Sequence, residues 1–96
     1  MITDFADVAT GDLFHGRNSK AARSIPRDLW PTAQRKLEWL NAATELRDLA
    51  SPPANRLEKL VGDLAGFYSI RINDQFRIVF TFGNGNAGQV RITDYH

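Results

Sequence analysis

Hydrophobic and polar residues alternate in two stretches of the C-terminal third of the chain, GFYSIRIN and QFRIVFTF. Alternation with a period of two is typical of β-strands that bury one face. The polar residues around Asn73 and Asp74 indicate a tight turn between them, so the two stretches predict a β-hairpin. We also predict a short, mixed strand in NRLEKLVG, a turn in GNGNAG and a final strand in QVRITDYH.

Helical spacing replaces this alternation in the first half of the chain. The segment DLWPTAQRKLEWLNAA repeats small or apolar residues every three or four positions, which predicts a helix with one buried stripe: Ala33, Leu37, Leu40 and Ala43. We expect Asp28 to cap this helix and Pro31 to lie in its first turn. TELRDLA predicts a further helical turn through Leu46 and Leu49, which Pro52 and Pro53 end.

Two shorter elements are predicted at the N-terminus. MITDF is compatible with a short edge strand, and ADVATGDLFHG predicts a short helix that ends near Gly16 and turns Val8 and Leu13 or Phe14 inward. Helices followed by strands predict an α+β fold. We expect one domain, residues 1–96.

Composition narrows the classes of function. The 96 residues include no cysteine, which excludes disulfides and thiolate metal sites and suits a reducing cytoplasm. No apolar run approaches the roughly 20 residues of a membrane helix, and MITDFADV does not resemble a signal peptide. The net charge of +1 is small for a free-standing nucleic-acid binder. Binding to nucleic acid would therefore need a local basic patch or a helper.

The apolar rows of the hairpin define its register. A three-residue loop, Asn73 to Gln75, places Ile70 opposite Ile78 and buries both rows together, whereas a two-residue loop would place Ile70 on the face of Arg77. The three-residue loop also places Arg71 opposite Arg77, where like charges repel. Two interpretations stay open: each arginine is solvated or paired with a carboxylate, or the two hold an anion between them.

The chain ends in RITDYH, next to this arginine pair in the predicted sheet. Val90 and Ile92 should point inward, and the end of the strand should approach Arg71 and Arg77. Histidine transfers protons near neutral pH, and arginine binds phosphate with two donors. These groups are the parts needed to cut RNA without a metal, through attack of a 2′-hydroxyl on the adjacent phosphate. A terminal histidine is also compatible with a passive surface position.

The run NRLEKLVGDLAGFYSIRINDQFRIVFTF, followed by a terminal DYH, resembles the HigB-like toxins of the RelE/ParE superfamily, and LNAATELRDLASPPANRLEKL resembles their GraT-like branch. The resemblance spans nearly the whole chain, and it implies a small RelE-like α+β fold in which N-terminal helices pack on a mostly antiparallel, twisted β-sheet. It implies a type II toxin that cuts messenger RNA in the A site of the 30S ribosomal subunit, with no metal or other cofactor, and so inhibits translation and growth. It also implies a HigA-like antitoxin with a helix-turn-helix domain, a cytoplasmic location and no membrane partner.

The resemblance also implies roles for individual residues. Arg77 would contact the scissile phosphate, Arg71 would add charge, and the terminal triplet would complete the catalytic set: Asp94, Tyr95 and His96. Within the triplet, His96 would transfer a proton, Tyr95 would stack on or orient the nucleotide, and Asp94 would position its neighbours.

One stretch departs from the family pattern. Several HigB-like toxins read RLHPLKG where this chain reads RLEKLVG, so their histidine becomes Glu58 and their lysine becomes Val61. We expect Arg56, Glu58 and Lys59 to contact the substrate, although Lys59 points away from Glu58 on a regular strand. Glu58 is either a base or a solvated carboxylate. The second histidine, His15, is expected to cap a helix or lie on the surface.

Two alternatives to the nuclease remain at this point. A non-catalytic toxin of the same fold, like the ParE branch that inhibits gyrase, needs no acid–base tail. A small interaction module without toxicity would lack a neighbouring helix-turn-helix gene. The terminal DYH favours the nuclease over both.

Overall fold

The computed structural model describes residues 1–94, so Tyr95 and His96 lie outside the described residues. Two α-helices, α1 (Val8–Phe14) and α2 (Trp30–Ala42), precede four strands. The strands are β1 (Glu58–Lys59), β2 (Tyr68–Arg71), β3 (Phe76–Gly83) and β4 (Asn86–Asp94), and they form an antiparallel sheet in the order β1-β2-β3-β4. Short 3₁₀ turns connect these elements. The predicted α+β fold is confirmed.

The core forms between α2 and one face of the sheet. All four residues of the predicted stripe are buried, and they belong to one cluster with the apolar rows of the hairpin: Ile70, Ile72, Ile78 and Phe80. The 3₁₀ turn Leu46–Ala50 extends this cluster through the buried Leu49. Within residues 1–94 no helix is long and apolar enough to cross a membrane.

Pro31 lies in the first turn of α2, as predicted, but the prediction for Asp28 is wrong. Asp28 lies in a 3₁₀ turn, Arg27–Leu29, that runs directly into α2, and Leu29 occupies the N-cap position without a side-chain cap. The backbone N–H of Leu29 donates to the carbonyl of Pro26, and the N–H of Trp30 donates to the carbonyl of Arg27. The entering turn therefore replaces the expected aspartate cap.

Helix α1 is present, but its phase differs from the expected one. Asp7 caps it by accepting a hydrogen bond from Thr10 N at 2.8 Å. This start turns Leu13 into the core and leaves Val8 68% exposed, so the inward prediction for Val8 is wrong. Thr10 is buried, and its hydroxyl is satisfied by a hydrogen bond that it accepts from Ile92 N in β4.

The N-terminal segment lies along the free edge of β4. It forms two isolated parallel bridges, Ile2 with Ala87 and Phe5 with Val90, rather than a continuous strand. The predicted strand in NRLEKLVG also shortens, to Glu58–Lys59. Left-handed backbone at Arg56 before it and at Gly62 after it prevents the extension of this strand.

The register of the hairpin is the one that the apolar rows predicted. Ile70 pairs with Ile78, and Arg71 pairs with Arg77. Asn73 closes the loop, because its side-chain oxygen accepts hydrogen bonds from the backbone N–H groups of Gln75 and Phe76 at 2.8 and 2.7 Å. The arginine pair therefore lies at the end of the hairpin, beside this loop.

Candidate active site

A cleft of about 260 Å³ opens at this end of the sheet. Its walls come from the segment before β2 and from the hairpin: Arg56, Glu58, Arg71, Asn73, Asp74 and Arg77. Four of these six residues were predicted as site residues. Because three guanidinium groups face two carboxylates, the lining carries a net positive charge. The chemistry of the cleft therefore suits an anion.

Arg77 forms the floor of the cleft and is only 7% exposed. Its Nε donates to the hydroxyl of Ser69 at 2.8 Å, and its Nη2 donates to the backbone carbonyl of Arg56 at 2.5 Å. Ser69 is two residues from Arg71 and shares its face of β2, the face toward which Arg77 projects. These bonds hold the guanidinium in one orientation.

Arg56 has a left-handed backbone, with φ 45° and ψ 57°. A residue with a side chain rarely adopts this conformation, and such outliers are concentrated at functional sites. The preceding 3₁₀ turn, Pro53–Asn55, stabilises this conformation, because the carbonyl oxygen of Pro53 accepts a hydrogen bond from the backbone N–H of Arg56 at 3.0 Å. Its carbonyl binds Arg77, and its exposed side chain lines the cleft. The conformation of Arg56 thus links the floor and one wall.

Arg71 forms an ion pair with Asp74 at the tip of the hairpin. The Asp74 side chain is 98% exposed, whereas Arg71 is half-buried. The pairing of Arg71 with Asp74, and a looser contact of 3.9 Å between Arg77 Nη2 and Glu58 Oε1, agree with the interpretation that the arginines are balanced by carboxylates. Exposed ion pairs are weak, so a stronger anion can replace Asp74.

Glu58 and Lys59 lie on opposite faces of β1. Glu58 pairs with Ser69 and lines the cleft, with its side chain 49% exposed. Lys59 pairs with Tyr68, whose side chain shares the other face, and Lys59 is not part of the cleft lining. The carboxylate of Glu58 therefore lies beside the arginines, whereas Lys59 projects from the opposite face of β1.

Strand β4 ends next to the floor of the cleft. Thr93 pairs with Arg77, and Asp94 pairs with Phe76. Asp94 therefore lies on the face opposite to Arg77, and its carboxylate accepts a hydrogen bond from the side chain of Gln75 at 2.9 Å. The expected roles of Tyr95 and His96 concern residues outside the described part of the chain.

Lys36 is a charged residue near this site that the sequence analysis missed. It is 6% exposed, and its Nζ donates to the backbone carbonyl of Arg71 at 2.5 Å. Burial holds the pKa of this ammonium below its ordinary value, and three neighbouring guanidinium groups lower it further: Arg35, Arg71 and Arg77. The available signal was the position of Lys36, three residues after Ala33 and four before Leu40, within the buried stripe of α2.

His15 lies away from the cleft lining and ends α1, as expected for a capping residue. It occupies the C-cap position and is exposed, and its Nδ1 lies 2.7 Å from the carbonyl oxygen of Gly11. Its ring also contacts the rings of Phe5 and Phe14 edge-on.

Among solved structures, the fold is similar to a YoeB–YefM complex from Staphylococcus aureus, with a TM-score of 0.61, 19% identity, and coverage of 100% of this chain and 95% of that chain. A YoeB dimer from the same organism gives a TM-score of 0.57 at 25% identity, with coverage of 99% and 94%. These matches support the α+β architecture.

Curated relatives are more similar in sequence. "Toxin HigB-1" of Vibrio cholerae serotype O1 is 44% identical over 87 residues, which make up 91% of this chain and 90% of the relative. "Endoribonuclease HigB" of Proteus vulgaris is 36% identical over 61 residues, 64% of this chain and 65% of the relative. A family model described as "RelE-like toxin of type II toxin-antitoxin system HigB" matches residues 4–96. This chain therefore belongs to the HigB family of RelE-like toxins from type II toxin–antitoxin systems.

Proposed function

We propose that this toxin is an endoribonuclease that cuts messenger RNA in the ribosomal A site without a metal or other cofactor. The observation that carries the proposal is the cleft, where three arginines face two carboxylates beside the end of β4, the strand that leads into the DYH tail. The Proteus vulgaris relative, named an endoribonuclease, supports the same class of reaction.

The arginines provide the charge stabilisation that phosphoryl transfer requires. As the 2′-oxygen attacks phosphorus, negative charge builds up on the equatorial oxygens of the phosphate. Arg77 is already oriented by Ser69 and by the carbonyl of Arg56, so its positive charge needs no reorganisation during the reaction. Arg71 exchanges its exposed partner Asp74 for a phosphate oxygen, and Arg56 adds a third positive charge from the wall.

Glu58 and His96 divide the proton transfers in this proposal. The half-exposed carboxylate of Glu58 accepts the proton of the 2′-hydroxyl, and the 2′-oxygen attacks phosphorus. The bond from phosphorus to the 5′-oxygen breaks, and His96 protonates that oxygen. The products are a 2′,3′-cyclic phosphate and a 5′-hydroxyl. Tyr95 orients the nucleotide, and Asp94 holds the end of β4 through Gln75.

The ribosome supplies most of the RNA binding in this account. The chain has a net charge of only +1, and two carboxylates offset part of the positive charge within the cleft. Free RNA should therefore bind weakly, whereas a codon held in the A site is presented at high effective concentration. The toxin would act in the cytoplasm, where a HigA-like helix-turn-helix antitoxin would neutralise it. The Staphylococcus aureus toxin that shares this fold was solved together with YefM.

A translation reaction with a defined messenger tests the proposal. We expect the native protein to produce new RNA ends within A-site codons of translating ribosomes, and to leave the same RNA intact when ribosomes are omitted. Efficient cutting of naked RNA would contradict the dependence on ribosomes. Intact messenger, together with growth arrest in cells, would contradict the nuclease and support a non-catalytic toxin such as a gyrase inhibitor.

A further inference from the structure

Lys36 occupies a position where an apolar residue would be expected. It lies on the core-facing stripe of α2, between Ala33 and Leu40, and its side chain extends to the end of β2. There its ammonium donates to the carbonyl oxygen of Arg71, the residue whose side chain enters the cleft from the other side of the backbone. Helix α2 is thereby connected directly to one wall of the cleft.

Within residues 1–94, the charged groups that shift the pKa of Lys36 are all of its own sign. Arg35 on the same helix and Arg71 and Arg77 on the sheet all lower its pKa, in addition to the effect of burial. Within residues 1–94, none of the ion pairs includes Lys36. A buried ammonium that has only a carbonyl as its partner is costly, and a methionine of similar length would avoid that cost. Stability alone therefore does not account for a lysine here.

We infer that Lys36 is a positioning residue for the phosphate of the substrate: it holds the end of β2 so that Arg71 faces the cleft, and its charge adds to those of Arg71 and Arg77 behind the bound anion. This inference rests on the proposed function, because it assigns the ligand of the cleft as an RNA phosphate. The three cations repel one another in the free protein, and a bound phosphate oxyanion relieves that repulsion.

Protonation of Lys36 and binding of an anion in the cleft are linked equilibria. If an anion in the cleft favours the charged form of Lys36, binding of that anion must raise the pKa of Lys36. Loss of the proton from Lys36 must then weaken the binding of the anion by the same factor. Since the pKa of Lys36 is lowered in the free protein, the shift on binding is toward its ordinary value. A lysine that is not electrostatically coupled to the cleft would show no such shift.

The first test follows the ammonium of Lys36 by NMR in the native protein, with sulfate as the probe because its charge is constant over the titration. We expect the pKa of Lys36 to rise in sulfate relative to chloride of equal ionic strength. Lys20, an exposed lysine outside the cleft lining, serves as the internal reference and should show no such rise. A change at Lys36 no larger than that at Lys20 would overturn the inference. This readout does not depend on RNA cleavage.

The second test compares Lys36→Met, Lys36→Arg and the surface control Lys20→Met in the translation reaction. Lys36→Met should keep a Tm at least as high as that of the native protein and cut about tenfold more slowly, whereas Lys36→Arg should recover most of the rate. A native cleavage rate for Lys36→Met would overturn the inference. It would also be overturned if Lys36→Met lost cleavage because it unfolds and Lys36→Arg did not recover the rate. If the native protein itself does not cut, the proposed function fails, and the NMR titration still decides the role of Lys36.

Discussion

The apolar core between α2 and the sheet differs from the cleft at the end of the hairpin in the kinds of residue that it buries. Where α2 packs on the sheet, the buried residues are apolar and form one cluster, as in Leu37, Ile70 and Phe80. At the cleft, the buried residues include a lysine and an arginine, and Arg56 has a left-handed backbone. The first region stabilises the fold. The second has unfavourable charge and backbone strain, which is typical of functional sites.

The largest expected effect is on stability and comes from the apolar region. Leu37→Ala removes a fully buried side chain at the centre of the core, so the free energy of unfolding should fall by about 3 kcal/mol. Urea unfolding measures this change. Val8→Ala, at an exposed position of α1, is the control and should stay within about 0.5 kcal/mol of the native protein. Equal effects of the two variants would contradict the assignment of the core.

The next effect is on catalysis and leaves stability nearly unchanged. Glu58→Gln keeps the shape of the side chain but removes the proton acceptor, so cleavage on ribosomes should slow by about 100-fold. Because Glu58 is half-exposed and its contact with Arg77 is loose, the unfolding free energy should change by at most about 0.5 kcal/mol. Glu38→Gln, an exposed change on α2, is the matched control. A native rate for Glu58→Gln would place the base elsewhere.

A smaller effect on stability distinguishes the backbone strain at Arg56 from the charge of its side chain. Glycine accepts a left-handed backbone and alanine does not, so Arg56→Gly should be more stable than Arg56→Ala by about 1 kcal/mol. Both variants lack the guanidinium and should cut more slowly than the native protein to a similar extent. Unfolding curves and cleavage rates of the two variants test this together. Equal stability would show that the left-handed backbone carries no strain.

The smallest effect concerns the hairpin tip, where we expect Asp74 to compete with the substrate for Arg71. Asp74→Asn removes that competitor, so KM should fall by about threefold while kcat changes little. Asp63→Asn changes the net charge equally at an exposed site outside the cleft lining, and it should not lower KM as much. If both variants lower KM to the same degree, the effect belongs to net charge and not to Arg71.

Part of this site could be predicted because strand pairing is subject to a strict constraint. The two apolar rows of the hairpin must share a face, which requires a three-residue loop, and that loop places Arg71 opposite Arg77. The buried stripe of α2 was predicted by the same kind of argument. Where the period of apolar residues must match a buried face, few registers or helix faces are possible.

Other features depend on local competition that a pattern does not record. Asp28 does not cap α2, because a 3₁₀ turn leads into the helix, and Val8 is exposed, because Asp7 sets the start of α1. The backbone of Arg56 is left-handed although no glycine marks the position. The burial of Lys36 was not predicted, because lysine usually lies on the surface. The roles of Tyr95 and His96 remain predictions, since both lie outside the described residues.

The most direct test of the cleft as the active site is single-turnover cleavage on ribosomes loaded with a defined messenger, by the native protein and by Arg77→Ala. We expect the native protein to leave a 2′,3′-cyclic phosphate, and Arg77→Ala to cut about 100-fold more slowly while still binding the ribosome. A native rate for folded Arg77→Ala, or a product that ends in a 3′-hydroxyl, would contradict this expectation.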